Sequence, residues 1–219
     1  MIKWGTVADA YTTENGSEII IRMDADTARL VKDKHIKDIE VRLDDGRSIT
    51  VNQRKKIYAT LNDIAMYLGY LPEELKEVMK YHYITKTGRT EYLSGDRIFS
   101  FADCSVDTAR DFINFILCFA LENDIPLSDS GVNRTDDIDY YLYACLKSRK
   151  CCICGKQGEI HHVDTIGMGN DRRKVDDSGY RKMCLCRTHH TIAHQRGMDA
   201  FEKMYKVYGI IYTEDIKNG

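Results

Sequence analysis

The sequence predicts an α+β chain, with a mixed strand-and-helix front part followed by a small, metal-stapled rear part. Short β-branched runs occupy the first fifty residues, and helical periodicity takes over from Asn52. Five of the eight cysteines and five of the seven histidines then crowd between Cys151 and His194. With 219 residues the chain is long enough for one large domain or two small ones. A composition of 43% hydrophobic and 30% charged residues excludes disordered and fibrous classes. The opening Met1-Ile2-Lys3-Trp4 lacks the apolar core of a signal peptide, and the most apolar stretch, 112–121, is too short to span a bilayer. A cytoplasmic protein with no membrane partner is expected.

Residues 18–23 and 38–43 are predicted strands. The second leads through Asp44-Asp45-Gly46 into residues 48–51, the pattern of a hairpin. Residues 26–34 form a short helix between strands. Ile57, Leu61, Ile64, Ala65 and Leu68 then recur on one helical face, and Gly69 ends that helix. Pro72 sits early in the next one, 72–83. Residues 105–123 are apolar on most sides, which predicts a buried helix. Residues 124–137, with Pro126, Gly131 and several serines and aspartates, predict a linker, and 137–148 a helix feeding the cysteine cluster. A boundary near residue 130 divides a front domain, 1–130, from a rear domain, 131–219.

Charge is uneven along the chain. Residues 147–219 carry a formal charge of +5 and the first 146 carry −7. A basic end on an acidic body is the asymmetry expected of a chain whose rear meets phosphate.

With no export signal, the cysteine cluster points to metal rather than disulfides. Cys151 and Cys154 form C-x-x-C followed by Gly155, and Cys186 and His189 form C-x-x-H. Together they suit a tetrahedral structural Zn²⁺ with Cys₃His coordination. The ion would close the 31 residues between Cys154 and Cys186 into a loop. Cys104, Cys118 and Cys145 are expected as buried thiols, and Cys152 and Cys184 as bystanders of the zinc set.

Inside that loop stand His161 and His162. In an extended segment their rings face opposite ways, so one can bind an ion while the other acts as a base. His190 and His194, four apart on a helix, project from one face and can share that ion. Between the two sets, residues 167–174 combine Gly167 and Gly169 with Arg172, Arg173 and Lys174, a composition suited to close phosphate contact. Trp4 and the Tyr140-Tyr141 pair are assigned to core or dimer packing rather than base stacking.

Over about residues 148–208 this arrangement resembles the HNH (ββα-metal) endonucleases, specifically the zinc-stabilised kind of phage recombination regions. The resemblance implies a ββα-metal rear domain. It implies His161 as the first catalytic-metal ligand, His162 as the general base, and His190 and His194 as the ligands on the last helix. Cys151, Cys154, Cys186 and His189 match the structural zinc set, His189 standing where the family more often has cysteine. The catalytic ion would be Mg²⁺, Mn²⁺, Ni²⁺ or Zn²⁺. One departure concerns the middle Asn of the motif. Arg181 or Lys182 occupies that stretch and Asn170 lies too early, which puts the geometry of the hairpin loop in question.

The phrase from Thr50 to Ala65, with the later Phe101 to Ser105 and the long apolar helix, resembles the lambdoid NinB (Orf) recombination proteins. That likeness implies single-stranded DNA binding and dimers acting beside single-strand-binding protein. Since the front is acidic, affinity there needs a local basic patch, and Arg54, Lys55 and Lys56 offer one. The expected function is a metal-dependent DNA endonuclease of phage recombination or replication, acting on single-stranded or branched DNA in a bacterial host cell. The alternative is a non-catalytic single-stranded-DNA-binding recombination mediator with a zinc-stapled HNH-like module.

Overall fold

A computed structural model describes residues 5–14, 16–37, 47–88, 93–94, 97–164 and 179–212. The predicted strand at 38–43, its Asp44-Asp45-Gly46 turn, Trp4 and the basic segment with Arg172, Arg173 and Lys174 lie outside the described residues.

The chain opens with an antiparallel hairpin of β1 (Gly5–Thr13) and β2 (Gly16–Met23), followed by α1 (Ala25–Asp33). β2 and α1 fall where the sequence predicts them; β1 was not foreseen. Its signal in the sequence was the Asn-Gly dipeptide at 15–16, a composition that marks hairpins, between an otherwise polar, weakly patterned segment and β2.

The strand predicted at 48–51 is not one. Ser48 makes a single bridge to Ser105, and Val51 already begins α2 (Val51–Leu68). Thr50 is the N-cap. Its hydroxyl accepts the Gln53 N–H, and the Gln53 side chain accepts the Thr50 N–H. This capping box satisfies two backbone donors at once and overrides the β-propensity of Ile49, Thr50 and Val51. Gly69 ends α2 as predicted, in the left-handed conformation.

Next come α3 (Pro72–Thr87), a short pair of β3 (Leu93–Ser94) and β4 (Arg97–Ile98), and α4 (Val106–Glu122), capped by Ser105. Ile57, Leu61 and Ile64 of α2, Leu75, Met79 and Tyr83 of α3, and Phe112, Ile113 and Ile116 of α4 are buried together. Phe99, Phe101, Phe112 and Phe115 crowd edge-on or tilted around Tyr83 and one another. α4 is apolar almost all round because a second layer covers its far side. That layer is α6 (Ile138–Lys147), which packs on the rear sheet.

The segment between α4 and α6 is strapped to the front. It contains α5 (Gly131–Arg134), whose Arg134 guanidinium meets Asp63 of α2 at 3.3 Å. Lys56 donates to the Thr135 carbonyl at 2.5 Å and to Asp136 at 2.6 Å. The rear consists of β5 (Glu159–His162), β6 (Arg181–Leu185), α7 (Arg187–Arg196), α8 (Met198–Tyr205) and β7 (Ile210–Ile211). Its sheet is antiparallel in the order β5-β6-β7. Met183, Leu185 and Phe201 carry the buried core from α6 to α8.

Candidate active site

The first metal set is built from a turn and a helix start. After α6 the chain makes a tight loop in which Cys151 N–H donates to the Lys156 carbonyl and Gly155 N–H to the Cys151 carbonyl. Gly155 has φ +69°, a left-handed turn that a side chain would strain. This loop aims Cys151 and Cys154 at Cys186, the N-cap of α7, and at His189 one turn along.

The Cys154 and Cys186 sulfurs are 3.7 Å apart, and His189 Nδ1 lies 3.4 Å from Cys151 and 3.3 Å from Cys186. Two thiolates held at about 2.3 Å by a tetrahedral ion sit roughly 3.8 Å apart, so the donor set and its spacing fit zinc. Burial by itself raises the Cys186 thiol. The backbone N–H of His189, the thiols of Cys154 and Cys151 and the N–H of Thr188 outweigh it, leaving a thiol easier to ionise. Burial pushes the Cys151 thiol up to about 12, so loading the site must displace a proton. Cys145, Cys152 and Cys184 are buried bystanders, while Cys104 and Cys118 are half-buried.

The second set lies across the hairpin. Strand alternation buries His161 and leaves His162 half-buried toward the other face of β5. The His161 ring faces His190 and His194 at centroid distances of 4.7 and 5.1 Å. On α7, four residues apart, His190 and His194 bring their Nε2 atoms to 3.2 Å. One donor atom from each of the three lies within 4.8 Å of the others. Three imidazoles at such spacing suit a borderline divalent ion.

Burial, and then neighbouring His190, His194 and His162, lower the His161 pKa to about 4. Burial and His194 lower that of His190. Both therefore present the neutral, ligating form of imidazole. Accessibility increases from buried His161 through half-buried His190 to exposed His194, so the cluster is open to solvent on the α7 side.

Two features of this site escaped the sequence. Where the motif lacks its Asn, Arg181 grips Asp164: the backbone N–H donates at 2.7 Å, Nε at 3.0 Å and Nη2 at 2.7 Å. The fork closes the hairpin two residues beyond His162 and holds the Asp164 carboxyl below the usual carboxylate range. Lys182 is buried and donates to the Tyr212 carbonyl. The second feature is Met198, whose Sδ stands 3.2 Å from His161 Nε2.

The front basic patch does not come together. Arg54 donates to the Phe101 and Ala102 carbonyls, and Lys56 is turned inward to Asp136. Lys55 is exposed. Tyr141 is buried with its hydroxyl on the Cys152 carbonyl, whereas Tyr140 is exposed. Among the described residues, no helix is long and apolar enough to cross a membrane.

No curated protein and no solved structure matches this chain. The family described as "Putative HNHc nuclease" matches residues 20–218, which takes in both the front helices and the two Cys/His clusters. On that match the chain belongs to an HNH nuclease family.

Proposed function

We propose that the protein is a metal-dependent DNA endonuclease of a phage or prophage, cutting single-stranded or branched DNA during recombination or replication. The observation that carries this reading is the meeting of His161, His190 and His194, with His162 next along the same strand. His161, His190 and His194 would hold the catalytic ion, and Cys151, Cys154, Cys186 and His189 the structural zinc. A bound divalent ion supplies Lewis acidity to the scissile phosphate and offsets the charge that develops there.

The remaining work belongs to the chain. His162 takes a proton from the attacking water as the water oxygen bonds to phosphorus and the bond to the 3′ oxygen breaks. The Asp164–Arg181 clamp, two residues further on, would steady the strand end that carries that imidazole. Exposed Lys55 and the sequence segment Arg172-Arg173-Lys174 would bind the backbone phosphates. The division of labour is recognition by residues 1–130 and cutting by 131–219, in line with their opposite charge. Exposed Met66, Tyr67, Tyr70 and Leu71 at the α2–α3 tip support a homodimer. Single-strand-binding protein is the proposed partner and the bacterial host cytoplasm the proposed compartment.

The test is cleavage of linear and branched DNAs with Mg²⁺, Mn²⁺, Ni²⁺ or Zn²⁺, alongside His162→Ala. That variant should lose about 10²–10⁴-fold in rate and keep its DNA affinity. Cutting at the wild-type rate would remove the general base. A wild-type protein that binds single strands and cuts nothing under any ion would instead be a recombination mediator.

A further inference from the structure

Met198 is held where a surface methionine would not be. Gly197, at φ +81° and ψ 151°, joins α7 to α8 in a conformation essentially reserved for glycine. Met198 is the first residue of α8, and three residues later Phe201 is fully buried and anchors that helix in the core. The turn therefore brings the half-buried Met198 back over β5, its sulfur 3.2 Å from His161 Nε2.

A thioether has lone pairs and no proton to donate. An imidazole nitrogen at that distance must either donate its own N–H to the sulfur or share a cation with it. The same 3.2 Å separates His190 Nε2 from His194 Nε2. Both distances are close to the edge of a tetrahedron around an ion with donors at about 2.0–2.3 Å. We propose that Met198 is a fourth donor of the His161–His190–His194 centre and that its sulfur selects soft and borderline ions over hard ones. This rests on the catalytic-metal reading of that cluster.

A thioether favours Zn²⁺, Co²⁺ and Cu⁺, whereas Mg²⁺ and Mn²⁺ prefer oxygen. Zn²⁺ and Co²⁺ also accept a fifth donor, so four protein ligands leave room for a phosphate oxygen. The centre is thus tuned for late transition ions, and Met198 is the residue that tunes it.

The experiment uses full-length protein carrying one zinc per chain, titrated with Co²⁺, Zn²⁺ and Mn²⁺ and compared with Met198→Leu and Met198→Glu. Leucine keeps the shape and removes the sulfur, so equal melting curves will show that the fold is intact. Co K-edge absorption sees only the cobalt centre. One sulfur at bonding distance is expected in wild type and none in Met198→Leu. Met198→Leu should lose about tenfold in Co²⁺ and Zn²⁺ affinity with Mn²⁺ unchanged, and Met198→Glu should gain Mn²⁺ affinity.

A cobalt shell without sulfur in wild type, or equal weakening toward every ion in Met198→Leu, would make Met198 a mere acceptor for the His161 N–H and overturn the proposal. A protein that takes no second ion would overturn the catalytic-metal reading as well. The two failures are therefore distinct.

Discussion

Arg181 and Asp164 join two residues beyond His162, and their fork fixes the strand end that carries it. Its influence is therefore on position. Arg181→Ala should lower the cleavage rate by about tenfold, as small displacements of a reacting group do, with little change in melting temperature because Arg181 is exposed and Asp164 only half-buried. Arg181→Lys should not restore the rate, since an ammonium cannot reproduce the grip of two guanidinium nitrogens on one carboxylate. Single-turnover kinetics on a nicked-product gel will decide it, and an unchanged rate in Arg181→Ala would reduce the pair to surface decoration. Acid sensitivity is expected at His161. Its pKa is lowered from the usual 6.5 to about 4 by burial, so between those values the unfolded chain binds the extra proton. The contribution of this residue is full above pH 6.5 and is lost as pH falls toward 4. His189 and His190, also lowered by burial, act in the same direction. Urea melts between pH 7 and 4.5, on protein without the second ion, should show the slope, and His161→Gln should lessen it.

Helices were legible because period and punctuation agree. Gly69 after α2, Pro72 at the start of α3 and Ser105 before α4 stand where the apolar period begins or stops. Strands were harder. β1 carries no apolar alternation and is exposed along its length, so only its turn could have marked it. Residues 48–51 failed for the opposite reason, since β-branched residues also occur where a capping box starts a helix. The two Cys/His sets were legible because ligand spacing is a local property of a turn or a helix. Met198 and the Asp164–Arg181 clamp were not, because Gly197 and the β5–β6 register bring them into place across the fold. The knuckle offers its own test. Purified protein should hold about one tightly bound zinc per chain by elemental analysis, and Cys154→Ser should lose most of it. Protein purified without zinc would count against the Cys₃His assignment.

Across the whole molecule, α4 is the shared element. Its buried residues face α2 and α3 on one side and α6 on the other, and α6 in turn covers Met183 and Leu185 of β6. Loosening the rear therefore exposes apolar surface in the front, and Cys154→Ser should lower the melting temperature of the entire chain in one transition. Calorimetry showing two separated transitions would contradict this coupling. The proposed division between recognition and cutting is thus one of function, carried on a core that both parts share.

The proposed zinc ligands come from both sides of the hairpin, Cys151 and Cys154 before β5 and Cys186 and His189 after β6. An ion bound there acts as a rivet that does not depend on chain continuity. A protease that severed the backbone between the strands would leave two fragments clasped by the metal, the sheet and the shared core. The fold would thus tolerate a broken chain at that point, and a chelator is what would loosen it.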